Sequence, residues 1–277
     1  MKYKIYFFAA FILLFIQACD QQESITVSGS TTVLPIISRA AEVFNESENN
    51  FNIIVNAGGS GVGINQLGEG KIDIGMTSRD LKKEEIESYP EVEFNTISIG
   101  KDAVVPVVSS EIYNAGVTTL SLNQIAKIYN GEIGNWKELG GPDKEILCID
   151  KEQSRGTRHV FMKIVMGDKE AEAPGADLVM GSNNEEQTAI VQSDAAIGML
   201  SNAWLSEDVK GLNIKLDNGK VISPNLQTIS SGKFPITRDL FILTNGTPKG
   251  NVKAFIDFLL SPEGQEIVEK SGYVRIK

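Results

Sequence analysis

The 277-residue chain has a single histidine, two cysteines and two tryptophans. One histidine and so few cysteines leave no ligand set for a zinc centre. A Ser-His-Asp relay would have to use His159, and no Gly-x-Ser-x-Gly elbow is present to carry its serine. His159 is therefore expected on the exposed face of a helix. Two cysteines build no disulfide framework. Cys148 lies in the apolar run Glu145-Ile146-Leu147-Cys148-Ile149 and reads as a buried structural thiol. Basic excess is also missing: 26 Lys and Arg stand against 36 Asp and Glu, a net charge of −10. That balance argues against nucleic acid as a partner. It also gives a field that repels anions. Any anion must be held by local donors at short range, because exposed charges beyond about 8 Å are largely screened at physiological salt. No nucleotide loop is complete: Ile64 stands where a dinucleotide fingerprint from Gly59 needs glycine, and Ile72 follows Gly70-Lys71 where a phosphate loop needs Ser or Thr.

Membrane-spanning length is lacking too. The apolar run from Ile5 to Ile16 is too short for a stable span. With Lys2 and Lys4 before it, it reads as a secretory signal peptide. Ile16-Gln17-Ala18-Cys19 resembles a bacterial lipoprotein box, although Gln17 departs from the usual small or apolar residue. The resemblance implies cleavage after residue 18, a diacylglycerol on Cys19, and a tether over 19–24 at the outer face of the membrane or in the periplasm. Ordinary secretion is the alternative.

What is present is a set of three Gly/Ser/Thr-rich segments, each placed to open a helix: Ser28-Gly29-Ser30-Thr31-Thr32, Gly58-Gly59-Ser60-Gly61-Val62-Gly63 and Ser154-Arg155-Gly156-Thr157-Arg158. A helix N-terminus offers unpaired N–H groups and partial positive charge. Hydroxyl residues add donors, and glycine lets backbone approach a ligand closely. Each segment alone is an ordinary cap; the set, with two arginines in its last member, implies a cage for a small oxyanion.

Apolar residues recur at helical spacing from Val33 to Phe44, with Thr31 or Thr32 as the expected N-cap. Strands are expected at 25–27, 51–55, 71–76, 97–99, 103–108, 146–149, 195–200 and 240–243. Helices are expected at 81–88 after an Asp80 cap, 122–129, 158–165, 186–192, 252–260 and 264–270, with a loop over 167–181. The alternation predicts an α/β fold. Glu84-Glu85 and Glu185-Glu186 are expected on solvated helix faces.

From about Ile25 onward the chain resembles the PstS family, phosphate-binding lipoproteins of ABC uptake systems. The resemblance rests on Gly29-Ser-Thr-Thr-Val-Leu-Pro35, Gly58-Gly-Ser-Gly-Val-Gly-Ile64, Asp73-Ile-Gly-Met-Thr-Ser-Arg79, Ile128-Tyr-Asn-Gly-Glu-Ile-Gly-Asn-Trp136, Arg155-Gly-Thr-Arg158, Ala196-Ile-Gly198 and Phe255-Ile-Asp-Phe-Leu-Leu-Ser-Pro-Glu-Gly-Gln265. It implies a two-lobed periplasmic-binding-protein fold of type II-like form with a cleft between lobes. Residues 25–99 and 227–277 would form lobe I, and 100–226 lobe II. It further implies a monomer that catalyses nothing, needs no cofactor or metal, captures inorganic phosphate and docks on ABC permease subunits. The phosphate-binding residues it implies are Ser30, Thr31, Thr32, Ser60, Gly61, Ser78, Arg79, Arg155, Gly156, Thr157 and Arg158. Two departures matter. Where the better-known pattern has Gly-Ala-Ser-Asp, this chain has Gly75-Met76-Thr77-Ser78, so the acidic proton acceptor is replaced by Ser78 and followed by Arg79. The pattern Arg-x-x-x-Ser-Gly-Thr stands as Lys151-Glu-Gln-Ser-Arg155-Gly-Thr157, so Arg155 takes the serine's place. Arg79 and Arg155 are then candidates for bidentate clamps on the anion, or for ion pairs with Asp80 and Glu152. Other readings stay open: another oxyanion such as sulfate, a sensor or adhesin with the same fold, or a hydrolase built on Ser60 or Ser154 with His159.

Overall fold

In the first helix, α1 (Leu34–Glu46), Ile36, Ile37, Ala40, Ala41 and Phe44 fall on one buried face, the stripe that a 3.6-residue period produces. The Phe44 ring meets Phe51, Phe255 and Phe258 at centroid distances of 5.4–5.5 Å, and this aromatic group anchors one of two apolar cores. The computed structural model describes residues 23–46 and 51–276; the proposed signal peptide, Cys19 and most of the tether lie outside the described residues.

The elements alternate as expected of an α/β chain. The first part runs β1 (Glu23–Gly29), α1 (Leu34–Glu46), β2 (Phe51–Ala57), α2 (Ser60–Gly68), β3 (Ile74–Thr77), α3 (Lys83–Ser88) and β4 (Phe94–Ser109). The middle holds α4 (Ser110–Asn114), β5 (Thr119–Ser121), α5 (Leu122–Tyr129), β6 (Leu147–Lys151), α6 (Gly156–Val165), β7 (Leu178–Met180), α7 (Asn183–Val191), β8 (Ala196–Ser201), β9 (Val209–Gly211), β10 (Asn213–Lys215), β11 (Val221–Ile222) and α8 (Leu226–Ser230). The chain returns through β12 (Thr237–Asn245) and ends in α9 (Gly250–Leu260) and α10 (Pro262–Lys270). No helix among the described residues is long and apolar enough to cross a membrane.

One sheet runs β2-β1-β3-β12-β4-β8-β6-β7, with β9 also on β4. The long strand β4 makes this possible. Its first half pairs antiparallel with β12 and its second half with β8 and β9. The two extended segments expected at 97–99 and 103–108 are thus one strand, because Gly100 and Asp102 between them pair with Leu240 and Arg238. The cores divide along the same line, as a two-lobed fold requires. One holds Val27, Ile37, Met76, Ile99, Leu240 and Phe255. The other holds Ala103, Tyr129, Trp136, Phe161, Ile197 and Ile236. The chain passes from one to the other between Ile99 and Ala103 on β4 and back between Ile236 and Leu240. Ile229 and Phe234, expected with the first lobe, pack in the second core.

Buried polar tips in the second core are satisfied: Tyr129 donates to the Ile149 carbonyl at 2.9 Å and Trp136 to that of Ala195 at 2.8 Å. Cys148 is free and buried, and burial pushes its thiol far above the ordinary range, which keeps it unreactive. The expected loop over 167–181 contains β7, which gains its ladder only by pairing with β6.

Candidate functional site

Four helix N-termini meet between the two cores. At the first, Ser30 rather than Thr31 or Thr32 closes the turn: its Oγ accepts from the Thr32 N–H at 3.2 Å, and its carbonyl accepts from Val33 and Leu34. Thr32 is thereby left free to aim its hydroxyl elsewhere, and the Tyr273 hydroxyl fixes its carbonyl at 2.7 Å. At the second, Gly59 precedes α2 with φ 96° and no side-chain cap, a conformation that favours glycine. Ser60 Oγ accepts from the Ser78 N–H at 3.1 Å and lies 3.3 Å from Ser78 Oγ. At the third, α6 starts at Gly156 with no side-chain cap from Arg155. Thr157 Oγ1 lies 3.3 Å from Thr32 Oγ1, across the division between cores. The fourth, α7, lies outside the three donor segments that the sequence displays. Its first residue, Asn183, donates from Nδ2 to Thr32 Oγ1 at 3.2 Å.

These groups enclose a cavity of about 10 Å³ lined by Ser30, Thr31, Thr32, Gly59, Ser60, Ser78, Lys151, Arg155, Gly156, Thr157, Ser182 and Asn183. That is the room of about one water, so a tetrahedral anion is admitted only as the two halves part. Gly61 N–H meets the Ser154 carbonyl at 3.2 Å, Arg155 Nη1 meets the Gly58 carbonyl at 2.7 Å, and Lys82 pairs with Glu170 at 2.6 Å. These contacts join the first half to the second and must open for admission.

The arginines are spoken for. Arg79 is buried and forks onto Glu85 at 2.6 and 2.8 Å, with the Asp80 carbonyl at 2.9 Å. Arg158 binds Asp150 at 2.9 and 3.1 Å and the Ala171 carbonyl at 2.8 Å. Arg155 lines the cavity but pairs with Glu152 at 2.5 and 2.8 Å. Of the three, the structure brings only Arg155 to the hydroxyl cluster. Glu85 is half-buried against Arg79, and Glu186 is fully buried against Lys151. Neither lies on the solvated face expected of it, because each closes on a buried cation.

The guanidinium at the centre belongs to Arg238. Its Nη1 donates to Thr157 Oγ1 at 3.2 Å and to Ser78 Oγ at 3.3 Å, and its Nη2 to Thr32 Oγ1 at 3.3 Å. Nε and Nη2 hold Asp102 Oδ2 at 2.8 and 2.5 Å, and Ser201 donates to Asp102 Oδ1 at 2.8 Å. Burial pushes the Asp102 carboxyl up, and Arg238 pulls it back. The sequence carries no trace of this pair beyond two adjacent charged residues inside each strand, Lys101-Asp102 and Arg238-Asp239.

His159 is buried rather than exposed, 8% accessible. It lines a depression of about 250 Å³ with Arg79, Asp80, Lys163, Arg238 and Asp239. Burial, with Arg79 and Lys82 nearby, lowers its pKa to about 4. The unfolded chain, with an ordinary histidine near 6.5, then binds more protons between pH 4 and 6.5. The stability this histidine contributes is complete above 6.5 and is lost as pH falls through the window. Urea midpoints at pH 7 and 4.5 should therefore fall more for the parent protein than for His159→Asn; equal falls would show that the imidazole is not held neutral.

The arrangement can do one kind of chemistry well: it offers hydroxyl, amide and N-terminal N–H donors, backed by a buried guanidinium, to an oxyanion. Asp80 is exposed and lies off the cavity, and Glu152 is taken by Arg155. Known proteins are similar to the chain in sequence and in fold. The model of the PBP superfamily domain matches residues 17–263. The phosphate-binding protein PstS of Borreliella burgdorferi is 36% identical, over 93% of this chain and 92% of its own. That of Bacillus subtilis is 33% identical, over 91% and 81%. A solved structure from Clostridium perfringens, described as a phosphate ABC transporter substrate-binding protein with bound phosphate, superposes with a TM-score of 0.82 at 30% identity, covering 92% of this chain and all of that one.

Proposed function

Because the chain belongs to the PBP superfamily, and within it to the PstS phosphate-binding proteins, we propose that it captures inorganic phosphate in the cleft between its lobes and delivers it to an ABC-type importer. It is a substrate-binding protein, not an enzyme. The observation that carries the reading is the convergence of Thr32, Ser60 and Ser78 from one half with Thr157 and Asn183 from the other. Closure of such a site brings donors of both halves around the anion, which is the logic of a hinged receptor.

In this reading Ser30, Thr31, Thr32, Ser60, Gly61, Ser78, Gly156 and Thr157 surround the anion, and Arg155 latches the halves above it. Arg79 and Arg158 brace their own segments. Lobe I comprises 25–99 with the chain after β12 enters the first core, and lobe II the residues between. The protein acts outside the cytoplasm as a monomer, anchored by a lipid on Cys19, and presents both lobes to the permease.

Calorimetric titration of the purified protein with phosphate tests this. Micromolar or tighter binding, about 8 kcal/mol, is expected; absence of heat and of competition by phosphate sinks it. Sulfate in the same titration separates a phosphate receptor from a general oxyanion receptor. Thr157→Val keeps the shape and deletes one donor. A hydrogen bond to a charged group contributes roughly 1.5–3 kcal/mol, so its phosphate Kd should rise by one to two orders of magnitude. An unchanged Kd would remove Thr157 from the site.

A further inference from the structure

Five buried or half-buried cations surround the cleft, and each is paired with a carboxylate: Arg79, Lys151, Arg155, Arg158 and Arg238. Each directs a further donor to a backbone carbonyl, of Asp80, Ser182, Gly58, Ala171 and, for Arg238, Ser78. Arg238 alone among the five donates to hydroxyl oxygens, and to three of them, from three separate segments of the chain. Its own position is distinctive. Arg238 and Asp102 are ladder partners on β12 and β4, the two strands that carry the chain between the cores. The ion pair thus joins the two crossing strands at the point where the chain passes between the cores.

A hydroxyl oxygen that accepts from a guanidinium keeps its own proton for donation. Arg238 therefore does two things to Thr32, Ser78 and Thr157: it occupies one of the two lone pairs on each oxygen, and it polarises their O–H bonds outward, each hydrogen bond strengthening the next. A neutral residue at 238 would free that lone pair to accept a proton from a ligand. Resting on the reading of the cleft as a phosphate site, we propose that Arg238, clamped by Asp102, sets the hydroxyl cluster as donors and makes the site select the doubly charged form of a tetrahedral oxyanion over the singly charged, protonated form. Specificity here comes from a fixed polarity of hydroxyls, in place of the acidic acceptor that Ser78 replaces.

The ionisable groups facing Arg238 are Asp102 on β4, Arg79 and Asp80 after β3, His159 and Lys163 on α6, Asp239 on its own strand, and Tyr273 near the C-terminus. His159, with a pKa of about 4, and Tyr273, raised by burial, keep their protonation states between pH 5.5 and 8.5 by about a unit or more. The test is phosphate titration of the purified protein across about pH 5.5–8.5, for the parent, Arg238→Met and Arg238→Lys, with folding checked by circular dichroism. The parent's affinity for total phosphate should rise with pH as the dianion forms, then level off. Arg238→Met should bind at least about a hundredfold more weakly, with a flattened profile, since the loss includes a charged group and the polarity of three hydroxyls. Should Arg238→Met not fold, Arg238→Lys keeps the charge but cannot fork onto Asp102 and the hydroxyls, and should lose about tenfold or more with partial flattening. A folded variant with the parent's affinity, or weaker binding with an unchanged pH profile, overturns the proposal and leaves Arg238 a structural brace. No phosphate binding by the parent at any pH overturns the phosphate reading itself.

Discussion

Gly156→Ala should abolish high-affinity phosphate binding while leaving the protein folded. A Cβ at this position would lie 2.4 Å from Ser60 Oγ and 2.5 Å from Ser78 Oγ, contacts that real side chains essentially never make. Both oxygens belong to the opposite half, so the methyl group collides only when the cleft shuts. Either the halves stay apart, or the two hydroxyls rotate away from the anion. With roughly 1.5–3 kcal/mol lost per donor to a charged group, two donors amount to a Kd at least about a hundredfold higher. The fold itself has no reason to suffer. Gly156 opens α6 with a φ outside the left-handed region, and alanine is the better helix former. Calorimetry with phosphate, beside a thermal melt without it, checks both halves of the expectation. Binding within threefold of the parent would mean that the cleft does not close as described.

The largest stability effect is expected at Glu186. Its carboxylate pairs with Lys151 Nζ and accepts from the Met199 N–H at 2.6 Å, and both charged side chains are buried. Burial pushes the Glu186 carboxyl up, and Lys151 pulls it back. Glu186→Leu removes one charge and leaves an ammonium in the interior with the Ser182 carbonyl at 3.2 Å as its remaining partner. Breaking a buried pair from one side costs about 3–5 kcal/mol. In a chain of this size that lowers the melting temperature by on the order of 10 °C. Replacing both members, Lys151→Met with Glu186→Leu, removes the orphaned charge, and the midpoint should recover much of the loss. A double variant as unstable as the single one would show that volume, not charge, dominates this site.

Three donor segments and the α/β alternation were legible because each is a local pattern. The stripe from Val33 to Phe44 shows its face within twelve residues, and Ser60 or Thr157 shows its role through the glycines beside it. The short strands at 119–121, 209–211 and 213–215 were not legible: three residues carry no periodicity, and they exist through their ladders. Arg238 and Asp102 were illegible for a deeper reason. They stand 136 positions apart, and nothing near either one hints that β12 returns beside β4. The two arginines that the sequence did advertise, Arg79 and Arg155, have carboxylates three or six residues away, Glu152 and Glu85. Short sequence separation supports those pairings. His159 was misplaced by the same limit, since its burial comes from segments that pack against α6 from the other half.

The ladder that joins Ala103 to Thr237 also sets the order in which the residues of the two halves become available as the chain is made. All of the second core lies between these two partners in the sequence, whereas the first core needs Leu240, Ile242 and Phe255 from beyond them. A chain emerging N-terminus first therefore carries every residue of the inserted half before it carries the strand that closes the outer one. β3 waits, with an unpaired edge, for β12 to arrive. The half that is begun first is completed last.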